Sequence, residues 1–267
     1  MKIKTIVTGI AGRMGKQVAS ALIQESDIEL VGGVDLKNQS IPVSSGDIDT
    51  IIEVTTDLSE LIEKTRPSVL VDFTHPSSVM NNIRIALQAG VRCVVGTTGI
   101  SSSDFNEIND LCKAKKTGAV VAPNFSIGAV LLMKFAHIAS KHFDSAEIIE
   151  MHHNEKVDAP SGTALRTAEF IEHQMLAASR QTAAGLQLQP ARGEDVKGTR
   201  IHSVRLPGLI AHHEVIFGKL GEILTIRHDS LSRESFMPGV ILAVKEVMKL
   251  DKAVLGLDAL LTISGVF

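Results

Sequence analysis

The sequence predicts a two-part α/β protein: a doubly wound parallel sheet, then a second α+β domain built on a mixed or antiparallel sheet. Three observations carry this reading. Short β-branched runs alternate with longer amphipathic segments as far as Ala122, the pattern of a parallel sheet covered on both faces. A glycine-rich turn separates the first such run from the first amphipathic segment. Beyond residue 200, strand candidates follow one another with no helix between them, which a purely parallel sheet does not allow.

In the first part, strands are expected at Ile3–Thr8, Ile28–Val34, Val69–Phe73, Val91–Val95 and Gly118–Ala122. Helices are expected at Arg13–Gln24, Leu58–Lys64, Val79–Ala89 and Phe105–Lys115. Gln39–Thr56 has no clear period and reads as a loop, with at most a short strand at Thr50–Val54. After Pro123, Gly128–His142 reads as a helix, Ala146–Met151 as a strand, and Gly162 to Ser179 as a helix. The polar stretch Arg180–Lys197 leads to strand candidates at Ile201–Leu206, His213–Phe217 and Glu222–His228. Met237–Lys249 is again helical, and the tail Ala253–Val266 is expected to pack back on the first domain. The expected domains are therefore residues 1–126, joined by 237–267, for dinucleotide binding, and 127–236 for substrate binding, catalysis and oligomerisation.

Bulk properties remove several function classes. Of the 267 residues, 44 % are hydrophobic and 21 % charged, ordinary for a globular protein. A net charge of -3, with no Trp or Tyr for base stacking, argues against nucleic acid as a partner. Cys93 and Cys112 stand nineteen apart with no CxxC, and Cys93 lies inside the apolar run VRCVV. That suggests buried, reduced thiols and a cytoplasmic protein. The N-terminal apolar stretch is broken by Gly9, Gly12 and Arg13, unlike a signal peptide, and no run approaches membrane-spanning length.

The turn Gly9-Ile10-Ala11-Gly12-Arg13-Met14-Gly15 joins the first strand to the first helix, the context a dinucleotide turn requires. Small residues there let backbone approach a pyrophosphate, and the helix start supplies N–H groups. Ala11 stands where the usual fingerprint has its second glycine. The second strand ends in Asp35, twenty residues after Gly15, where a carboxylate binds ribose hydroxyls. This makes the first domain Rossmann-like. Asp35 repels a 2′-phosphate and Leu36 follows it, which favours NADH, although Lys37 offers NADPH a partner. Gly96-Thr97-Thr98-Gly99 and Ala122-Pro123-Asn124-Phe125-Ser126 follow later strands, where loops line a ligand crevice.

The segment Glu150–Leu165, EMHHNEKVDAPSGTAL, holds the chemistry. His152 and His153 belong to the residue type suited to proton donation, and Lys156 adds a fixed positive charge four residues past His152. Pro160-Ser161-Gly162-Thr163 reads as a helix start that attracts anions. Glu150, His152, His153 and Glu155 are conceivable zinc ligands, but the spacing fits neither HExxH nor a Cys/His site, and no metal is expected. His212-His213 begins a later strand and suits a structural or rim role.

These motifs resemble the 4-hydroxy-tetrahydrodipicolinate (dihydrodipicolinate) reductase family, across essentially the whole chain. GIAGRMG, DFTHP at Asp72–Pro76, GTTG at Gly96–Gly99, APNFSIG at Ala122–Gly128 and Phe236-Met-Pro-Gly239 occur in order. EMHHNEKVDAPSGTA is the most specific of them. The resemblance implies NAD(P)H-dependent reduction of a small cyclic dicarboxylate, with loss of water, in lysine and diaminopimelate biosynthesis, by a homotetramer. With the cofactor on one domain and the acid on the other, domain closure is expected to exclude water. It implies cofactor contacts from Gly9, Ile10, Ala11, Gly12, Arg13 and Met14, with Asp35 on the ribose. Gly96, Thr97, Thr98, Ala122, Pro123, Asn124 and Phe125 would line the nicotinamide end. His152 would donate the proton, Lys156 would serve as second donor and carboxylate anchor, and His153, Gly162 and Thr163 would bind substrate. The chain departs from some members in carrying Leu36 for Arg and Ala211-His212-His213 for Gly-Glu-His. Another two-domain dehydrogenase and a non-catalytic nucleotide-binding protein remain open on the residues alone.

Overall fold

The computed structural model describes residues 2–175 and 190–261. Positions 176–179 of the expected helix, most of Arg180–Lys197 and the end of the tail lie outside them. The chain divides into two units, Met1–Phe125 with Phe236–Phe267, and Ser126–Ser235.

The first unit is an eight-stranded sheet with helices on both faces. Its elements run β1 (Ile3–Thr8), α1 (Arg13–Gln24), β2 (Ile28–Val34), β3 (Gln39–Ser45), β4 (Ile48–Thr55), α2 (Leu58–Thr65), β5 (Val69–Asp72), α3 (Pro76–Gln88), β6 (Arg92–Val95), α4 (Ser102–Lys115) and β7 (Ala119–Val121). The strand order is β13-β7-β6-β5-β1-β2-β4-β3, with β13 at Ala253–Leu255. From β1 the chain steps outward to β2, and after β4 returns to β5 on the other side. This reversal opens a crevice at the carboxyl ends of β1 and β5, the binding position of doubly wound sheets. Ile6, Leu70, Cys93, Ile83, Leu87 and Ile108 form one buried face. Both cysteines are free and buried there, and burial pushes the Cys112 thiol up to about 11.

Gln39–Thr56 corrects the expected loop: it is an antiparallel hairpin, β3 against β4, at the sheet edge. Ile41 and Val43 face inward opposite Ile52 and Thr50, while Pro42 sits between them on the outermost strand. Proline lacks a ladder donor, and only an edge strand tolerates it. The C-terminal part returns as α7 (Met237–Glu246), and β13 pairs in parallel with β7.

The second unit carries α5 (Ile127–Ala139), β8 (Ser145–His152), α6 (Gly162–Met175), β9 (Glu194–Val196), β10 (Thr199–Arg205), β11 (Ala211–Lys219) and β12 (Glu222–Ser230). Its mixed sheet has the order β12-β11-β8-β10-β9, with β10 parallel to β8 and β11 antiparallel to β8 and β12. The short strand β9 was hidden in the polar stretch; it turns into β10 at Lys197-Gly198, both with positive φ (55° and 88°). Such a two-residue turn matches the twist of a hairpin. Ile148, Ile201, Val215 and Phe217 supply the buried face of the sheet.

Candidate active site

The glycine turn is shaped by contacts only hydrogen atoms permit. Gly9 has φ +76°, and a Cβ there would lie 2.4 Å from the Phe73 carbonyl oxygen. A Cβ at Gly15 would lie 2.0 Å from the Gly9 oxygen, so α1 begins in direct backbone contact with the turn. Helices α2, α3 and α4 each have a side-chain cap, from Asp57, His75 and Ser101. Helix α1 has none: Gly12 is its N-cap, and no acidic residue occupies its first turn. A helix start left open in this way suits a pyrophosphate. Asp35 lies at the mouth of the turn, its carboxylate accepting from the N–H groups of Ala11 and Leu36, both at 2.8 Å. Leu36 is 92 % exposed beside it. Among the turn residues, Ile10 faces away: its side chain is buried, and a Cβ on Gly33 would meet it at 2.6 Å.

The loops above β5 and β6 are tied by a residue absent from the expected site, Asp72. Its buried carboxylate accepts from the hydroxyls of Thr8 (2.7 Å), Thr74 (2.8 Å) and Thr97 (2.6 Å), the Asn82 amide (2.8 Å) and the Thr74 N–H (3.1 Å). Thr97 therefore spends its hydroxyl on the fold and presents backbone, whereas Thr98 is exposed. Gly96 packs under the Phe73 ring, which a Cβ would enter at 2.1 Å. Phe73 in turn meets Phe125, ring centres 5.8 Å apart. Ala122 is buried, Pro123 exposed and Asn124 intermediate. Gly239 lets α7 approach closely, since its Cβ would stand 2.0 Å from the Phe125 oxygen.

In the second unit the conspicuous segment forms the end of β8, the following loop and the start of α6. His152 is the last residue of the strand, and its Nδ1 lies 2.5 Å from Glu150 Oε2. Glu150 is fully buried, and Arg205 on β10 reaches its carboxylate with two bonds, at 3.0 and 2.7 Å. Burial pushes that carboxyl up, but hydrogen bonds from His152, Arg205 and Ser203 more than reverse this and hold it at about 2. Lys156 donates to both oxygens of Asp158, at 2.7 and 2.8 Å, and this pairing holds Asp158 below the usual carboxylate range. Ser161 starts α6: its hydroxyl accepts from the Ala164 N–H. Its own N–H is turned inward to the Glu150 carboxylate at 3.2 Å, so the anion it meets is one of the chain's own. Gly162 and Thr163 follow it on the first turn. His153 Nδ1 is buried without a hydrogen-bond partner. Among the described residues no His, Cys, Asp or Glu grouping could hold a metal ion.

The unusual Ala211-His212-His213 segment gains a structural account. His212 Nδ1 lies 2.6 Å from Asp229, its register partner on β12. His213 points into the sheet's buried side and pairs in register with Glu150 and His228. Burial pushes its pKa down to about 4; Glu150 opposes this, and His152 and His228 reinforce it. A neutral buried histidine adds stability above its unfolded value of 6.5, lost as pH falls toward about 4 because the unfolded chain then binds the extra proton. The unfolding temperature should therefore fall between pH 6.5 and 4, and His213→Gln should flatten that slope. Equal slopes in variant and parent would refute the assignment.

A mostly parallel sheet with an open-capped glycine turn and an acid just past its second strand is the architecture of a dinucleotide-binding protein. Two family models match the chain: Dihydrodipicolinate reductase, N-terminus, over residues 3–125, and Dihydrodipicolinate reductase, C-terminus, over residues 128–261. The chain belongs to the dihydrodipicolinate reductase family. It is 47 % identical over 261 residues to the 4-hydroxy-tetrahydrodipicolinate reductase of Moorella thermoacetica, covering 97 % of this chain and 98 % of that one. The Bacillus licheniformis reductase of the same name is 48 % identical over 260 residues, covering 96 % and 97 %. The solved dipicolinate-bound dihydrodipicolinate reductase from Paenisporosarcina sp. TG-14 superposes with a TM-score of 0.86 at 39 % identity, covering 98 % of this chain and all of that one.

Proposed function

We propose that this chain reduces 4-hydroxy-tetrahydrodipicolinate to tetrahydrodipicolinate, with loss of water, in lysine and diaminopimelate biosynthesis, using NADH in preference to NADPH. The observation that carries the reading is the histidine–lysine segment: a strand-end histidine held by a buried carboxylate, followed by a lysine and a helix start. In the first unit Gly9 to Met14 hold the pyrophosphate, Asp35 the adenosine ribose, and Gly96 to Thr98 with Ala122 to Phe125 the nicotinamide end. The bound nicotinamide supplies the hydride.

In the second unit His152 donates the proton that completes the reduction. Lys156 exchanges Asp158 for a substrate carboxylate and stabilises negative charge developing on the ring. Gly162 and Thr163 hold a carboxylate at the α6 start, and His153 binds substrate beside them. The dipicolinate in the Paenisporosarcina relative, a ring dicarboxylate, supports a substrate of this class. A homotetramer is proposed as well. The edge strand β12 leaves Ile223 exposed, an apolar side chain on an unpaired edge suited to a second copy, and a single-chain mass by light scattering would sink it.

The test is oxidation of NADH and NADPH with substrate made in place from pyruvate and aspartate semialdehyde by the preceding synthase. Turnover with both is expected, with kcat/KM higher for NADH because Asp35 stands where a 2′-phosphate would lie and exposed Leu36 offers it no charge. Leu36→Arg should move the ratio toward NADPH by about tenfold, the worth of one charge-assisted pair. No turnover from folded protein that binds NADH would discard the reaction; a strong NADPH preference would discard only the cofactor assignment.

A further inference from the structure

We propose that Glu150, braced by Arg205, is the positioning residue of this site: it fixes the ring of His152 with Nδ1–H turned inward and ties the start of α6 to the same carboxylate. The inference rests on the reading of His152 as proton donor and deepens it. Glu150 is a carboxylate on an otherwise apolar side of β8, among Ile148, Ile201 and Val215, and its side chain is wholly buried. Burying a carboxylate is costly unless its oxygens are satisfied. Besides the Ser203 side chain, four donors converge on it: His152 Nδ1 at 2.5 Å, Arg205 Nη1 at 3.0 Å and Nη2 at 2.7 Å, and the Ser161 N–H at 3.2 Å.

The identity of these donors separates a positioning role from a merely structural one. A bidentate Arg205 would by itself satisfy the charge. Two of the remaining donors are the proposed acid and the residue that starts the substrate helix. Arg205 Nη2 also donates to the Asp158 carbonyl at 2.7 Å, so the pair fixes the loop that carries Lys156. A neutral imidazole has two tautomers, and a carboxylate on Nδ1 selects the one with its proton there, leaving Nε2 as the nitrogen that serves substrate. When His152 is protonated, the same carboxylate is its counter-charge. The other groups around it are Arg205 on β10 and His213 on β11, the latter in register with Glu150.

Glu150→Gln keeps the size and removes the charge. It leaves Arg205 buried without its counter-charge, so the pair Glu150→Gln/Arg205→Met is made alongside it. Expected in both is a fall in kcat of about 100-fold, the lower end of what a positioned acid contributes, with little change in NADH affinity. The limb of the pH–kcat profile that requires the protonated acid should move to lower pH, and nitrogen NMR should show His152 losing its Nδ1–H form. The double variant should regain unfolding temperature without regaining kcat, and Glu150→Asp should recover part of it. A folded variant with kcat within twofold of the parent and an unmoved limb overturns the proposal. If the parent chain itself fails to turn over, the proposed reaction falls, and the nitrogen spectrum alone decides whether Glu150 fixes the ring.

Discussion

Replacing His152 by Gln should lower kcat by about 10²–10⁴-fold while moving KM by only a few-fold. Glutamine approximates the reach of the ring and can still donate toward Glu150, so the β8 end and its hydrogen bonds survive the change. What it lacks is a proton to give up near neutral pH. An interaction made only as the proton moves appears in kcat, whereas one made equally with bound substrate appears in KM. Lys156→Ala is the contrast: it removes a carboxylate partner and a charge that matters as the ring gains electrons, and should damage both constants. The lysine is available for that exchange because Asp158, its present partner, is itself largely exposed (60 %) and lies only two residues away. Single-turnover and steady-state kinetics on both variants make the check. Parent-like kcat in His152→Gln would remove the histidine from the mechanism.

Much of the fold was legible because the sheet is built from uninterrupted β-branched runs. Ile3–Thr8, Arg13–Gln24 and Ile28–Val34 appear with the bounds the periodicity predicts. Helix starts fell short where apolar periodicity begins later than the backbone turn. Helix α3 begins at Pro76, capped by His75, and α4 at Ser102, where Ser101 and Asp104 form a capping box. Those residues carried the signal: proline suits the first helical position, and a serine three residues before an acid marks a helix entry. The β3–β4 hairpin was missed for a different reason. A proline in its outer strand breaks the pattern that marks a strand, and only tertiary position, at the edge, makes it harmless.

The candidate site shows a sharper limit. Residues adjacent in sequence, such as His152, Lys156 and Ser161, could be grouped from spacing. Glu150 could be noticed but not understood, because its partner Arg205 stands fifty-five residues away and meets it only through parallel pairing of β10 with β8. Read alone, an acid two residues before a histidine suggests a metal ligand; the arginine converts it into a charge-balanced brace. Asp72 is the same case in the first unit. Its motif was visible, but its function as the common acceptor for Thr8, Thr74, Asn82 and Thr97 depends on three strands ending at one level. Side chains that organise a site through neighbours leave weaker marks than those that touch the ligand.

Gly15→Ala should weaken NADH binding by about 100-fold or more and lower the unfolding temperature, although it adds one methyl to a helix, where alanine is otherwise the better residue. The obstacle is the identity of the atoms it meets. The new Cβ would lie 2.0 Å from the Gly9 oxygen and 2.7 Å from the Ile10 Cα, all backbone, so no side chain can rotate away. Either α1 withdraws or the Gly9–Gly12 turn opens, and overpacking of this kind typically costs about 1–3 kcal/mol. Both movements displace the uncapped N–H groups of α1 from the pyrophosphate position, and the Ala11 N–H from Asp35, so affinity should fall by more than stability alone implies. Gly12→Ala is the internal control. Its φ of -70° is ordinary for alanine, and its Cβ would meet the Gly9 oxygen at 3.1 Å, a contact a small shift relieves. Calorimetric titration with NADH should therefore rank the parent first, Gly12→Ala second and Gly15→Ala last. If Gly15→Ala binds as tightly as the parent, helix-to-turn contact is not what shapes this turn for a nucleotide, and the assignment of Gly9 to Met14 must be given up.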